Sequence, residues 1–256
     1  MKHKIFFFLY KILGIIICLV YWDTKYFWWI MAAFLLVYLS IIFLGSYFIG
    51  LNWFIKSVNQ NSKEGVSFTF DDGPHPKNTK LILTILKKHN IKATFFVIGK
   101  EAEKYPEIIK QIFDEGHIIG NHSYSHSNFI PFFGKNKLIK DYEKTNLIIK
   151  NIIGKKPNYI RPPFGVTSPK YTKLLKKTKY ISFGWTHRTF DTTSITRDSL
   201  INNTLSAINK NKKTILLFHD TKDITVHSLD EILQKLNKNG TKIVGIENTI
   251  NQLPYE

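Results

Sequence analysis

Two adjacent aspartates, Asp71 and Asp72, end the apolar β-type run "SFTF" and precede Gly73 and Pro74. Side-by-side carboxylates repel each other, and a divalent cation offsets that repulsion. Their roles can differ, because one carboxylate can bind the metal while its neighbour accepts a proton from water. A turn is the alternative interpretation, since Asp-Gly-Pro is a common turn sequence. The local sequence leaves both interpretations open.

A pair of histidines, His122 and His126, stands four residues apart in the stretch "HSYSH". On a helical turn this spacing places both imidazoles on one face, where they can share a metal ion. Two histidines and one carboxylate are a common ligand set for catalytic Zn²⁺, with one position left open for water. Such a pair taken alone is more often polar surface, but beside the double aspartate it favours a metal site.

Strand-type and helix-type segments alternate from Gly65 onward. The strand-type runs are "GVSFTF", "ATFFVIG", "HIIGNH", "NYIRPP", "ISFGW", "TILLFH" and "KIVGI". The helix-type stretches are Thr79–His89, Glu101–Glu115, Lys135–Ile153, Ser168–Lys177, Arg197–Asn209 and Val226–Asn237. This alternation predicts an α/β fold with a parallel sheet, either open or closed into a barrel. The seven strands are too few for a barrel of eight units, which typically needs about 250 residues.

The polar candidates follow the ends of predicted strands. In parallel α/β folds the reactive groups gather at the carboxyl edge of the sheet. The residues in these positions are Asp71 and Asp72 after the first strand, His122 and His126 after the third, Arg161 after the fourth, Asp191 soon after the fifth, and His219 with Asp220 after the sixth. The sequence therefore predicts one site on one rim of the sheet.

Two long apolar segments precede this region, over residues 5–22 and 26–55. A membrane-spanning helix needs roughly 20 apolar residues, so both segments are long enough. A cleaved signal peptide is the alternative for the first segment, but no small-residue cleavage site precedes Asp23. We expect a transmembrane helical hairpin over residues 1–55, a polar linker over residues 56–64 and a single catalytic domain over residues 65–256.

The composition limits the classes of partner. The 256 residues carry a formal net charge of +17, which suits anionic partners such as nucleic acid, acidic lipid or an anionic polymer. Nucleic acid is not expected, because the lysines are scattered and no nucleic-acid-binding module accompanies them. Cys18 is the only cysteine, which excludes an intrachain disulfide and a cysteine-based metal site.

Four motifs, "TFDDGP", "HSYSH", "RPPFG" and "LFH", occur in this order along the chain. Together they resemble the polysaccharide deacetylase family, also called the NodB-homology or carbohydrate esterase family 4 domain, over about Val66 to Ile246. The resemblance implies a distorted (β/α) barrel with about seven parallel strands, in agreement with the strand count. It also implies metal-dependent hydrolysis that removes N- or O-acetyl groups from a sugar, often N-acetylglucosamine.

The resemblance implies catalytic and metal-binding roles for the residues of these motifs. The implied assignments are Asp71 as general base, His219 as general acid, and Asp72, His122 and His126 as metal ligands. The implied metal is a divalent ion, Zn²⁺ first, with Co²⁺ or Ni²⁺ as substitutes.

Further residues of the same motifs are expected to support the reaction. Arg161 would orient Asp71 and balance its charge, and the main-chain N–H of Phe164 would help to hold the oxyanion. Leu217 would line the pocket at the acetyl methyl group, although a leucine in a core strand has the same sequence pattern. Trp185 is expected among the substrate-contacting residues.

The fourth motif departs from the family pattern, which places an aspartate near a tryptophan to tune the acid histidine. The corresponding stretch reads "FGWTHRTFDTTS". Trp185 and Asp191 are present at altered spacing, and His187-Arg188 occupies the place where an acidic residue is common in the family. Asp191 is the candidate partner of His219, and the altered motif bears on substrate preference more than on chemistry.

The expected partners are an acetylated glycan and membrane lipid, with no obligate protein partner. Basic residues flank the hairpin on both sides, which places both of its ends in the cytoplasm by the positive-inside rule. We expect a bacterial inner-membrane protein. A cytoplasmic domain would favour a lipid-linked precursor as substrate, and an exported domain would favour peptidoglycan. Two alternatives stay open: a non-catalytic glycan-binding domain, and an amidase of the same fold acting on a non-sugar amide.

Overall fold

The structure is a computed structural model that describes residues 2–250 and 252–256. It begins with two apolar helices, α1 (Lys2–Tyr21) and α2 (Phe27–Tyr47). Their mean hydropathy reaches 2.1 and 2.4, and their side chains are mostly exposed. Both helices are long and apolar enough to cross a membrane, a property that a signal sequence near the N terminus shares.

The described residues after α2 contain eight strands, which form one sheet. They are β1 Ser57–Val58, β2 Ser67–Asp71, β3 Thr94–Val97, β4 Ile118–Asn121, β5 Tyr159–Ile160, β6 Ile181–Phe183, β7 His187–Arg188 and β8 Ile215–His219. Their order is β1-β6-β5-β4-β3-β2-β8-β7, and the neighbouring strands pair in parallel.

The sheet curls into an incomplete barrel. In the described residues, the edge strands β1 and β7 share no ladder. The Thr186 hydroxyl nevertheless donates to the main-chain oxygen of Asn59 across this gap at 2.7 Å. The predicted distorted barrel of parallel strands is therefore confirmed, with one side held by a side-chain hydrogen bond.

The short strands differ from the sequence prediction at three places. β1 lies inside residues 56–64, so the stretch expected to be a linker contributes to the sheet, and β7 follows Trp185 in the altered fourth motif. The predicted strand "KIVGI" forms only an isolated bridge between Ile243 and Val66. It extends no further because a 3₁₀ turn, Ile246–Thr249, carries the chain away from the sheet.

Within the same described ranges, seven α-helices cover the outer face of the sheet and connect its strands. They are α3 Asn78–Lys88, α4 Gly99–Lys104, α5 Pro106–Asp114, α6 Lys135–Ile153, α7 Pro169–Thr178, α8 Arg197–Lys210 and α9 Asp223–Lys238. The one predicted helix over Glu101–Glu115 is two helices, because Pro106 starts a new helix after Tyr105. Proline fits the first turn of a helix and disrupts an interior, so the break falls where the sequence places the ring.

Both faces of the sheet are buried, which explains the continuous apolar runs of its strands. In β3, Phe95 packs towards the outer helices while Phe96 points into the barrel. The barrel interior is small and aromatic, with Phe96 close to Phe183 and Phe183 close to Tyr159. The rim above this interior holds the polar groups.

The two N-terminal helices dock on the barrel instead of extending away from it. The Ser46 hydroxyl donates to the Thr167 carbonyl at 2.6 Å, and the Thr167 N–H donates to the Ser46 carbonyl at 2.9 Å. Gly45 allows the Trp53 ring to pack against α2, since a Cβ there would lie 2.4 Å from that ring. These contacts fix the end of α2 next to the rim of the barrel.

Replacing Leu83 by alanine is expected to lower the free energy of unfolding by about 2–5 kcal/mol, because the change opens a cavity in a packed core. Leu83 is fully buried in α3. Leu81 lies in the same helix and is 41% exposed, so Leu81→Ala is the matched control, with a loss below about 1 kcal/mol. Urea denaturation of the full chain in mild detergent, followed by circular dichroism, measures both. Equal losses for the two variants would contradict the assigned packing of α3.

Candidate active site

The sheet register brings the polar candidates to one rim. Asp71 is the last residue of β2, His219 is the last residue of β8, and the two are direct partners in the parallel pairing. β4 ends at Asn121, so His122 leaves the sheet on the same side. The His122 N–H still donates to the Val97 carbonyl at 2.9 Å, which ties the start of this loop to β3.

The two histidines do not share a helix, in contrast to the helical turn that their spacing predicted. Residues 122–127 form a tight non-helical loop, because Ser123 (φ 71°) and His126 (φ 43°) adopt left-handed backbone conformations. The loop is held from within: the Asn121 side chain accepts from the Ser123 N–H at 2.8 Å, and the Ser123 hydroxyl accepts from the His126 N–H at 3.1 Å. Both imidazoles nevertheless face Asp72, with their ring centroids 4.9 Å apart.

Asp72, His122 and His126 form a compact group of ligand-type atoms. Asp72 Oδ1 lies 3.5 Å from His122 Nε2 and 3.2 Å from His126 Nε2. One ligand atom from each residue falls within 4.8 Å of the other two. Asp72 itself has a left-handed φ of 77°, a strained conformation of the kind found at functional sites.

The protonation states of this group fit a divalent cation. His122 Nδ1 donates to the Arg161 carbonyl at 2.8 Å. The other ring nitrogen, Nε2, therefore faces Asp72 with its electron pair available for a metal ion. Burial lowers the pKa of His126 to about 4, so His126 is neutral at pH 7. Asp72 Oδ1 is buried and has no hydrogen-bond partner among the described residues. Three donors with an open side are the usual arrangement of a catalytic zinc-type site.

Arg161 lies behind Asp71 and is fully buried. Its Nη1 donates to Asp71 Oδ1 at 2.7 Å and to the Thr69 hydroxyl at 2.8 Å, while Nη2 donates to the Gly184 carbonyl at 2.8 Å. Its guanidinium also lies 4.2 Å above the Phe96 ring. Asp71 is 3% exposed, and with Oδ1 held by Arg161 its Oδ2 faces the pocket, 3.7 Å from His122 Nε2.

His219 is held from behind by Asp191. Asp191 Oδ1 lies 2.8 Å from His219 Nδ1, and Asp191 Oδ2 accepts from the His219 N–H at 2.7 Å and from the Thr225 hydroxyl at 2.6 Å. Burial alone would lower the pKa of His219. The hydrogen bond to Asp191 and the negative charges of Asp191, Asp71 and Asp72 outweigh burial and raise that pKa above its ordinary value. The Nε2 atom of His219 is thereby directed towards the pocket.

A pocket of about 200 Å³ lies between these groups. Its walls include Asp71, Asp72, His122, His126, Phe164, Gly165, Trp185, Arg188, Thr192, Leu217 and His219. Phe164 has a left-handed φ of 59°, and its ring lies 4.7 Å from the His126 ring. The ten residues that were assigned a role from the sequence are in this one place: eight line the pocket, while Arg161 and Asp191 support Asp71 and His219 from behind.

Other residues also belong to the site, although no role was assigned to them from the sequence. Thr225 bonds Asp191, Thr192 lines the pocket, and Asp220 is buried beside Asp72. Burial raises the pKa of Asp220 to about 7, against the hydrogen bond from the Thr79 hydroxyl at 2.5 Å. Asp220 was visible in the sequence as the residue after His219. The two threonines carry no sequence signal, because their contacts depend on the path of the loops.

The Asp72–His122–His126 group lies beside a carboxylate bonded to Arg161 and a histidine bonded to Asp191. This arrangement on a parallel α/β barrel is typical of a metal-dependent hydrolase. The family model for the polysaccharide deacetylase domain matches residues 58–182. A peptidoglycan-N-acetylglucosamine deacetylase of Bacillus cereus is 36% identical over 187 residues, covering 72% of this chain and 67% of the relative. The peptidoglycan-N-acetylmuramic acid deacetylase PdaC of Bacillus subtilis is 30% identical over 198 residues, which are 77% of this chain and 40% of PdaC.

Solved structures show the same relationship. The peptidoglycan N-acetylglucosamine deacetylase Bc1960 superposes with a TM-score of 0.73 at 32% identity, covering 78% of this chain and 95% of Bc1960. BA3943 of Bacillus anthracis, a CE4 family pseudoenzyme, superposes with a TM-score of 0.70 at 27% identity, covering 76% and 68% of the two chains. The chain belongs to the polysaccharide deacetylase family, whose members are hydrolases that depend on a divalent metal.

Asp191→Asn is expected to lower the pKa of His219, because the variant removes the negative charge that raises it and leaves the burial that lowers it. A pH titration of the imidazole signals by nuclear magnetic resonance, on the full chain in detergent with chelator, measures this shift. Asp230→Asn is the matched control: it also removes a carboxylate bonded to a histidine, here His89 at 2.7 Å, in a pair outside the pocket. The titration of His219 should be the same in this control as in the wild type. An unchanged His219 pKa in Asp191→Asn would contradict the assigned pairing.

Proposed function

We propose that this protein removes N-acetyl groups from the amino sugars of peptidoglycan or of its membrane-bound precursors. The carrying observation is the single pocket in which the Asp72–His122–His126 group lies beside a carboxylate held by Arg161 and a histidine held by Asp191. The named activities of the relatives support peptidoglycan as the glycan. The pocket volume of about 200 Å³ and the presence of Leu217 in its lining support a small acyl group as the group removed.

Asp72, His122 and His126 would hold the metal, with Zn²⁺ as the proposed ion. Two imidazoles and one carboxylate are a ligand set that suits Zn²⁺, and the Co²⁺ or Ni²⁺ forms are the expected substitutes. The bound ion supplies Lewis-acid polarisation of the acetyl carbonyl and a lowered pKa for water, towards about 7.

Asp71 is proposed as the general base. Its Oδ1 is occupied by Arg161, so only Oδ2 is directed into the pocket to take the proton of the attacking water. Arg161 is a positioning residue in this scheme: it fixes the carboxylate and compensates its charge without touching the pocket.

His219 is proposed as the general acid. Its raised pKa keeps a larger share of the imidazole protonated near pH 7, and its Nε2 faces the pocket. Proton transfer from this atom to the amide nitrogen lets the sugar amine leave. Asp191 is the positioning residue that sets the orientation and favours the imidazolium. A step that needs imidazolium slows as the pH rises through that pKa.

The remaining predicted contacts would hold the acetyl group and the sugar. The main-chain N–H of Phe164 is proposed to stabilise the oxyanion, and the left-handed backbone at this residue is consistent with a strained, functional turn. Leu217 is proposed to contact the acetyl methyl group, and Trp185 the sugar. Trp185 packs so tightly on Gly165 that a Cβ at that glycine would lie 2.3 Å from its ring.

The apolar helices α1 and α2 are proposed to be a membrane anchor, with the catalytic domain beginning after residue 64 apart from strand β1. Their exposed apolar side chains support insertion into lipid. The docked end of α2 would then hold the pocket near the bilayer surface, where a lipid-linked or newly made glycan lies.

Two aspartate variants separate metal binding from proton transfer. Asp72→Ala is expected to lose both stoichiometric metal and acetate release. Asp71→Asn is expected to keep the metal but lose activity by roughly 10²–10⁴-fold, the typical contribution of a general base. The measurements are metal content by mass spectrometry and acetate release from N-acetylglucosamine oligomers and peptidoglycan, with the full chain in detergent after chelation and Zn²⁺ addition.

The control for both variants is Asp198→Asn, since the Asp198 side chain is 86% exposed and lies outside the pocket. It should match the wild type in metal content and rate. A metal-loaded wild type that releases no acetate from any of these glycans would overturn the proposed function, and the pseudoenzyme BA3943 shows that this fold occurs without activity.

A further inference from the structure

A short turn with two exposed aromatic rings follows His126 along the chain. Phe129 and Phe132 are 70% and 79% exposed, and the 3₁₀ turn Ile130–Phe132 joins them. Neither ring lines the catalytic pocket, so the proposed chemistry does not use them. Exposed apolar groups that lie together often mark a surface that contacts a partner or a membrane. We call residues 128–134 the aromatic tip.

The aromatic tip is held in shape by the buried residues that alternate with its exposed rings. Ile130 and Phe133 are buried, and both belong to an apolar cluster that includes Phe54. The Phe132 N–H donates to the Phe129 carbonyl at 2.9 Å, and the Phe133 N–H donates to the Ile130 carbonyl at 3.0 Å. The fold therefore presents the two exposed rings on a packed turn.

The aromatic tip lies beside the end of α2. Lys170 Nζ donates to the Pro131 carbonyl of the tip at 3.4 Å. Three residues before Lys170, Thr167 exchanges two hydrogen bonds with Ser46 of α2. Ile42 of α2 also packs against the apolar cluster that backs the tip. Because α2 is the second helix of the proposed membrane anchor, these contacts place the tip next to the point where that anchor would leave the bilayer.

Lysines flank the aromatic tip, and the chain around it carries no carboxylate. Lys135 and Lys137 are exposed directly after the tip, and Lys137 Nζ lies 4.0 Å above the Phe133 ring. The sequence has no Asp or Glu over Gly116–Lys140. The ion pairs of lysines in the described part of the chain involve neither these two lysines nor Lys170. Aromatic rings beside such lysines suit the interface of an anionic bilayer.

We propose that the aromatic tip inserts into the interface of an anionic bilayer next to α2. Phe129 and Phe132 enter below the headgroups, and Lys135, Lys137 and Lys170 contact the lipid phosphates. Two rings are a small area for a stable protein interface, which buries about 800 Å² per partner, whereas they add usefully to a membrane contact that α2 would already make. The inference goes beyond the proposed deacetylation, because it gives the catalytic domain its own contact with lipid and fixes the tilt of the rim relative to the bilayer.

A fluorescent reporter next to the rings measures the depth of the aromatic tip. The full chain with Cys18→Ala and Asn128→Cys carries a single thiol, at an exposed position, for a nitrobenzoxadiazole dye. The protein is placed in nanodiscs of phosphatidylcholine and phosphatidylglycerol that contain a lipid with a nitroxide near its headgroup. The nitroxide is expected to quench the dye at least about twofold, because interfacial apolar groups lie about 5–10 Å deep. The control carries the dye at Leu81→Cys, an exposed apolar position in α3, and should show no quenching.

Removing both rings tests whether they cause the insertion. Phe129→Ser combined with Phe132→Ser, in the protein labelled at Asn128→Cys, is expected to lower the quenching to the level of the Leu81→Cys control. Replacing both rings by tryptophan should retain the quenching, because the indole ring also suits a membrane interface.

Removing the charge tests the contact with anionic lipid. Lys135→Gln combined with Lys137→Gln is expected to reduce the quenching at least about twofold in the anionic nanodiscs, since each lysine near an anionic surface favours the bound state about fivefold. The same variant should not change the quenching in nanodiscs of phosphatidylcholine alone. The matched control is Lys212→Gln combined with Lys213→Gln, which removes the same charge from two exposed lysines outside the tip and should leave the quenching unchanged.

The outcomes that overturn the inference are distinct from failure of the proposed function. A dye at Asn128→Cys that stays unquenched in anionic nanodiscs would overturn it, and so would quenching that survives the loss of both rings. An unquenched dye whose emission shifts with N-acetylglucosamine oligomers would assign the tip to glycan instead, and a shift that grows with protein concentration would assign it to a second copy of the chain. None of these measurements depends on acetate release, so the membrane contact and the deacetylase activity are tested separately.

Discussion

The buried ion pair between Arg161 and Asp71 constrains the rest of the site. A fully buried guanidinium must have its charge compensated in place, and removing one partner of such a pair typically costs about 3–5 kcal/mol. Arg161 comes from the loop after β5, while its partners belong to β2 and to the loop after β6. The pair therefore fixes three parts of the rim relative to one another. It also engages one carboxylate oxygen of Asp71, the proposed base, in a hydrogen bond. The other oxygen has only the pocket to face.

The other reactive side chains follow the same construction. His219 has Nδ1 bound by Asp191, and His122 has Nδ1 bound by the Arg161 carbonyl, so in each ring only Nε2 is directed into the pocket. In both histidines the hydrogen bond at Nδ1 sets the orientation of the ring, and Nε2 is the atom available to react or to bind a ligand. The left-handed residues Asp72 and His126 add a backbone contribution, because extended or helical conformations would turn these side chains away.

Much of this arrangement could be predicted from the sequence because it depends on strand ends. Asp71 and His219 each end an apolar run, and parallel strands deliver such residues to one edge. The partnership of Asp191 with His219 could be proposed only through the family pattern, since the two residues are far apart in sequence and share no periodicity. The strands β1 and β7 have two residues each, which is too short to show the alternation of apolar and polar residues that predicts a strand. The loop of His126 was misjudged as helical, since a spacing of four does not reveal a left-handed φ.

The proposed anchor is held against the rim by hydrogen bonds, as the side chains of the site are held by their partners. A flexible linker is typical of a tether whose only role is to retain a domain at a membrane. Residues 56–64 instead include strand β1, which hydrogen-bonds to β6. The Ser46 hydroxyl also donates to the Thr167 carbonyl, so the end of α2 has little freedom to move relative to the rim. With the proposed anchor in a bilayer, the distance between the bilayer and the proposed metal site would be set by the fold. The proposed anchor would then limit the enzyme to glycans held within a short distance of the lipid surface, and it would favour precursors and newly inserted strands over mature, distant cell wall.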